Sequence, residues 1–138
     1  MQWGLWGGAV DNLGSERHRH YIEKIQNAEL LGCYAMTERG HGSNVQELET
    51  TATYDPDTHE FIINSPTDSA RKVYIGNAGR DGRMAAVFAQ LYTPGEKESH
   101  GVHCLIVPIR DEDGNPLDGV EIGDHGRKGG LLGVDNGT

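Results

Sequence analysis

The sequence predicts a mainly β chain: two packed antiparallel sheets in a sandwich- or barrel-like arrangement, preceded by one short helix. Three observations lead there. After residue 50 the apolar residues either alternate or cluster in stretches of a strand's length, as in Glu60–Asn64 and Met84–Tyr92. Turn chemistry separates these runs, and no strand–helix alternation follows residue 50, which argues against a parallel α/β sheet. Before residue 32, a single stretch combines helical spacing with a capping residue.

Residues 1–14 carry Trp3, Leu5, Trp6 and Val10 at helical spacing, but Gly4, Gly7 and Gly8 lie among them. Each interior glycine costs about 1 kcal/mol relative to alanine, so this segment is expected to be a poor helix. Its two tryptophans read either as a floppy terminus or as a surface for an absent partner. Ser15 is a good N-cap and Glu16 follows it at the positive end of the dipole. Tyr21, Ile22, Ile25 and Ala28 then share a face, which predicts a helix at 15–28.

The run 30–36 is a buried strand that opens into Thr37-Glu38-Arg39-Gly40-His41-Gly42-Ser43. Glycines there let a ligand come close to backbone N–H groups, so this loop is the candidate binding edge. Strands follow at 51–53 and 60–64 around the turn Asp55-Pro56-Asp57-Thr58-His59, then at 72–75, 84–92, 102–109 and 120–122. A second edge, at the end of 72–75, also runs into glycine and amides. Side by side, the two edges would form a polar-rimmed slot lined by Tyr34, Met36 and Tyr74, suited to a flat aromatic cofactor with a phosphate tail.

Size and charge set limits. The 138 residues make one domain with a genuine core, and 36% are hydrophobic. No apolar run approaches the roughly 20 residues of a spanning helix, and no basic n-region precedes an apolar one. The formal charge of −9, from 21 acidic and 12 basic residues, argues against nucleic acid as a partner. Cys33 and Cys104 lie in apolar runs and read as buried free thiols in a reducing compartment. Both ends of the chain lack clean element boundaries, as in a piece of something larger.

Several motifs fail on spacing. Gly40-x-Gly42 lacks the third glycine of a dinucleotide fingerprint, because position 45 is Val45. The same valine denies Ser43 a nucleophile elbow. Asp111, Asp113 and Asn115 start like a calcium loop, but Pro116 and Ile122 occupy the positions needing glycine and glutamate, so an acidic hairpin turn is expected. The seven histidines are scattered, and no cysteine stands at metal spacing from them, so no metal is expected.

The stretch from Gly32-Cys33-Tyr34-Ala35-Met36-Thr37 through Glu38-Arg39-Gly40-His41-Gly42-Ser43-Asn44-Val45 closely resembles the signature of acyl-CoA oxidases and their relatives, the acyl-CoA dehydrogenases. Thr50-Thr51-Ala52-Thr53-Tyr54-Asp55-Pro56, Ile106-Val107-Pro108-Ile109-Arg110 and Gly123-Asp124-His125-Gly126 continue the likeness in order. The Gly-His-Gly-Ser form looks more oxidase-like than dehydrogenase-like. The resemblance implies residues 1–31 as the remnant of an N-terminal helical domain and 32–138 as a middle β-domain facing FAD and acyl-CoA. It implies that Tyr34, Met36, Thr37, Gly42 and Ser43 follow the flavin and its pyrophosphate. Thr37 would bond the pyrimidine edge, and Ser43 would also reach the pantetheine arm of the substrate. Tyr74, Ile75 and Gly76 would sit against the isoalloxazine, although the family often has tryptophan and threonine where Tyr74 and Gly76 stand.

By the same resemblance the full enzyme desaturates acyl-CoA thioesters at the α,β bond, in fatty-acid β-oxidation. An oxidase returns the electrons to oxygen; a dehydrogenase passes them to a flavoprotein carrier. The base is a glutamate of a C-terminal helical domain, so no catalytic residue is expected in this chain and the chain alone is expected to be inactive. The missing helical domains are implied partners, a homo-oligomer the full-length state, and the cytoplasm, or the peroxisomal matrix of a eukaryote, the location. The rival class is a non-catalytic β-domain that uses exposed apolar patches for protein contacts.

Overall fold

The computed structural model describes all residues, Met1–Thr138. It is built mainly of strands in two sheets with helices at the start. The organising element is β5, Met84–Tyr92, whose residues from Ala85 to Ala89 are all buried. One edge of β5 pairs antiparallel with β6, Val102–Pro108. The other edge is shared: its first half pairs with β1, Gly32–Ala35, and its last three residues with β2, Thr51–Asp55. β3, Glu60–Asn64, completes the hairpin with β2. The second sheet is small, β4 at Ile75–Gly76 against β7 at Asn136–Gly137.

The prediction of two antiparallel sheets needs correction. Both the β1–β5 and the β2–β5 pairings are parallel, so the main sheet is mixed. A parallel pair needs a long crossover, and here the crossovers are loops and the β2–β3 hairpin rather than helices. Alternation in the sequence records which face of a strand is buried, not which way its neighbour runs. The expected strand at 72–75 shrinks to Ile75–Gly76, because Tyr74 adopts φ +59° and breaks the extended run. Residues 120–122 are not a strand.

Helical structure is also more extensive than expected. A π-helical run, Gln2–Gly7, leads directly into α1, Gly8–Leu13; a 3₁₀ turn, Glu16–His18, leads into α2, Arg19–Gln26. Ser15 is the N-cap of the second, and its main-chain N–H donates to His18 Nδ1 at 3.0 Å. The first persists despite its glycines because tertiary contacts outweigh propensity. Trp6 is completely buried among Ala9, Val10, Ile25 and Ala86. The Gln2 side chain donates to Leu30 O at 2.8 Å and accepts from Gly32 N at 3.1 Å, so it satisfies backbone groups at the start of β1. Of the two tryptophans, only Trp3 is exposed.

The two faces of β1 and β5 carry separate cores. Cys33, Ala35, Ala85 and Val87 pack with Ile75 and Ala78 on one face, while Ala86 and Tyr34 meet the helices on the other. Both cysteines are free thiols; Cys33 is buried and Cys104 half-buried. Burial pushes the Cys33 thiol up to about 12 and the Cys104 thiol up to about 11. A thiol reagent at pH 8 should therefore leave both unmodified in the folded chain and label both in urea. Rapid labelling of either without denaturant would contradict this packing.

Candidate functional site

Beyond β1 the chain continues alongside residues 69–73. Val73 N donates to Thr37 O at 3.0 Å, Arg39 N to Arg71 O at 2.9 Å, and Gly40 N to Ser69 O at 2.9 Å. The loop after β1 thus runs beside 69–73, the stretch leading into the second edge, while that edge itself, Tyr74–Gly76, continues past Val73 toward the start of β1, where Asn77 Nδ2 donates to Gly32 O at 3.1 Å. Gly40 favours this approach, since a Cβ there would stand a tight 3.0 Å from Ser69 Cβ. The next glycine has a different setting: a Cβ on Gly42 would meet nothing within 4 Å.

The loop tip offers a set of free donors. The amides of Gly42, Ser43 and Asn44 donate to no group of the chain, nor does the amide of Thr37. The hydroxyls of Thr37 and Ser43 are likewise without partners. Three consecutive amides and a hydroxyl on an exposed turn suit an anionic group such as a pyrophosphate. The half-buried Thr37, one step back, suits a carbonyl edge. The donor set therefore fits the cofactor that the sequence resemblance implies.

Beneath the loop lies a buried ion pair that the sequence reading did not foresee. Glu38 is 1% exposed. Its Oε1 accepts from Thr50 N at 2.9 Å and from Lys72 Nζ at 3.1 Å, and its Oε2 accepts from Glu49 N at 2.8 Å. His41 Nδ1 lies 3.3 Å from Glu38 Oε2. Lys72 Nζ also donates to Met36 O at 2.9 Å and Phe88 O at 2.8 Å. Every donor of the ammonium is thus used, and four segments distant in sequence are joined at one point. Glu38, His41 and Glu49 also bring metal-ligand atoms within 4.8 Å of one another, but the lysine and two amides already occupy the Glu38 oxygens. No spacing rule exists for partners 34 residues apart.

Desolvation raises the Glu38 carboxyl, but hydrogen bonding from Thr50 and the Glu49 amide, with the Lys72 charge, outweighs it and holds the group below its ordinary value. Desolvation also pushes Lys72 down, against the pull of Glu38. The acid limb follows from the carboxylate. A carboxyl depressed by folding stabilises the native state above its unfolded pKa, and that contribution is lost as pH falls through the folded value. Lys72 stays protonated throughout that window. The urea midpoint should therefore fall as the solution is acidified below the ordinary carboxylate range. Glu38→Gln should flatten that decline, although Glu49 and Asp111, also held low by hydrogen bonds, retain part of it. An unchanged slope in the variant would remove Glu38 from the account.

The remaining predicted residues divide by face. Tyr34 packs on Phe88, ring centroids 4.9 Å apart, and its hydroxyl reaches Met36 Sδ at 3.7 Å on the helix side. Ile75 faces the opposite core, and the Met1 side chain lies over Gly76, where a Cβ would stand 2.4 Å from it. Tyr74 is exposed against His125, with centroids 4.2 Å apart. Tyr34, Met36 and Tyr74 therefore do not line one slot; Thr37, Gly42 and Ser43 do share one open loop. Of the two main cavities, one of about 620 Å³ runs between β3, β6 and the start of α2, away from this loop, and one of about 660 Å³ adjoins the ion pair, lined by Thr50, Arg71, Lys72, Val107 and Glu121 among others.

Comparison with known proteins places these features in a family. Residues 33–138 match the model for the acyl-CoA dehydrogenase middle domain. The sequence is 52% identical over 144 residues to the peroxisomal acyl-coenzyme A oxidase 2 of Arabidopsis thaliana, covering 100% of this chain and 21% of that protein. The structure resembles Arabidopsis thaliana acyl-CoA oxidase 1 with a TM-score of 0.93 and 42% identity, over 99% of this chain and 21% of that one. It also resembles the Caenorhabditis elegans acyl-CoA oxidase-1 complexed with FAD and ATP, with a TM-score of 0.90 and 39% identity, over 96% of this chain and 20% of that one. The chain thus spans about a fifth of the length of these relatives. With residues 33–138 matched, 106 of the 138, the chain belongs to the acyl-CoA dehydrogenase middle-domain family.

Proposed function

We propose that this chain is the FAD-facing middle domain of an acyl-CoA oxidase. The observation that carries the reading is the donor set on the loop after β1, where Thr37, Ser43 and the amides of Gly42, Ser43 and Asn44 have no partner in the chain. It is supported by a relative solved with FAD. Bound there, FAD supplies the two-electron acceptor for α,β-desaturation of an acyl-CoA thioester, with oxygen as the final acceptor and peroxide as its product. Thr37 donates to the flavin's pyrimidine edge, and the 42–44 amides and Ser43 hold the pyrophosphate. Ser43 also meets the pantetheine arm of the acyl-CoA. Of the second edge only Tyr74 is open to the ring, since Ile75 lies in the core and Gly76 beneath Met1.

In this reading the base that takes the α-proton is a glutamate of a separate helical domain, and the chain by itself turns nothing over. Residues 1–31 are the tail of an N-terminal helical domain, docked through Trp6 and Gln2, and the family match beginning at residue 33 supports that division. The small β4–β7 sheet is the second layer of a sandwich. Exposed Phe61, Ile62, Leu131 and Leu132 provide surface for the other domains and for a homo-oligomer. No helix of the chain is long and apolar enough to cross a membrane, and the relatives' names support a peroxisomal matrix location.

A chimera tests this directly. Residues 1–138 would replace the matching segment of Arabidopsis thaliana acyl-CoA oxidase 1. It should purify with FAD and release peroxide when given an acyl-CoA under air. A folded chimera that holds no flavin, or whose flavin no acyl-CoA bleaches, would sink the proposal.

A further inference from the structure

The buried ion pair does more than join segments: it sets the direction of one peptide plane at the site. Lys72 Nζ takes the Met36 carbonyl at 2.9 Å, the Phe88 carbonyl at 2.8 Å and Glu38 Oε1 at 3.1 Å. Lys72 arrives from the second edge, and Phe88 O belongs to the rigid central strand, so the ammonium is a fixed point. Every peptide bond in the chain is trans, so the C=O of Met36 and the N–H of Thr37 point in opposite directions. With the carbonyl pinned inward to Lys72, the Thr37 amide faces away from it. That amide has no partner in the chain, and the ladder with 69–73 goes no further than Val73 N to Thr37 O.

We propose that Lys72 is a positioning residue, which holds the Met36–Thr37 peptide so that the Thr37 N–H and hydroxyl are presented together as donors to the flavin edge. The inference rests on the functional reading above for the identity of the ligand, but not for the geometry. Glu38 is one of three acceptors of the ammonium, and the Met36 and Phe88 carbonyls hold it in place without that charge, while the orienting contact is made by Lys72. The two residues should therefore be separable. A plain structural ion pair would depend equally on both.

The test uses the 138-residue chain, ¹⁵N-labelled, as wild type, Glu38→Gln, and Glu38→Gln with Lys72→Met. The double variant avoids stranding a buried charge, so its fold is expected to survive. Residual dipolar couplings report the orientation of each N–H bond. In Glu38→Gln the Thr37 coupling should stay at its wild-type value, because Lys72 still holds Met36 O. In the double variant the Thr37 coupling should move while those of β5 and β6 do not. A Thr37 coupling unchanged in the double variant, or moved as far by Glu38→Gln alone, would overturn the proposal.

The same three proteins are titrated with FAD by flavin fluorescence. The double variant should bind at least tenfold more weakly than wild type, with Glu38→Gln in between or close to wild type. Equal affinity in wild type and double variant would also overturn it. If wild-type chain fails to perturb FAD at all, the failure belongs to the functional reading, and the couplings still decide whether Lys72 orients Thr37.

Discussion

Lys72→Met should destabilise the chain by about 3–5 kcal/mol, because it leaves a carboxylate in the interior without its lysine counter-charge. Glu38 is 1% exposed, and what remains to it is the His41 ring at 3.3 Å and the neutral Thr50 and Glu49 amides. The Met36 and Phe88 carbonyls lose their shared donor as well. Urea unfolding followed by circular dichroism measures the loss. Neutralising both partners, Glu38→Gln with Lys72→Met, should recover a substantial part of it, since the main penalty is the unpaired charge rather than the missing attraction. If the single variant were as stable as wild type, the site's buried network would be ornamental and the two edges would be held by their backbone bonds alone. The pair also explains why the loop beyond it can be so open. Gly42, Ser43 and Asn44 carry no internal partners, and the rigid base at Glu38 keeps them at one place on the surface.

Trp6→Ala should cost about 3–5 kcal/mol, the range for removing a large buried aromatic. Trp6 is the largest fully buried side chain, and it lies flat against Gly32, where a Cβ would stand 2.3 Å from Trp6 Cε2. Gly32→Ala should accordingly cost about 1–3 kcal/mol by overpacking. The two changes share one contact, so their combination should cost less than their sum. Thermal or urea unfolding of the four proteins completes the cycle. Strict additivity would mean that Trp6 does not rest on Gly32. A near-neutral Trp6→Ala would return residues 1–13 to the frayed terminus that their glycines suggest. The Trp6 Nε1 group has no hydrogen-bond partner, so Trp6→Phe is expected to be milder than Trp6→Ala.

Much of the fold was legible because it depends on local chemistry. The long apolar run at Met84–Tyr92, interrupted only by Gln90, reads as a strand from its length and the turns around it, and it is the centre of the sheet. The β2–β3 hairpin followed from its turn residues, with Asp57 N bonded to Asp55 Oδ1 at 2.9 Å. The acidic turn at 111–116 is held the same way, by Asn115 N to Asp111 Oδ1 at 2.8 Å. The sequence pattern puts Tyr74 inside a strand at 72–75. Its φ of +59° followed from no residue preference, since a tyrosine rarely adopts it.

The sequence by itself determined the strand-end loop with its hydroxyls and glycines, the positions of the long strands, and, through its resemblance, the family. Those features are contiguous in the chain and act through neighbours a few residues apart. Only the tertiary structure decided that β1 and β2 share one edge of β5 in parallel, that a glycine-laden terminus is a docked helix, and that Glu38 and Lys72 meet. Each of these depends on groups 30 or more residues apart, as Gln2 is from Gly32 and Glu38 from Lys72. Such contacts are chosen by which surfaces can be buried together without leaving a charge or an amide unpaired, and that condition exists only once the chain has folded.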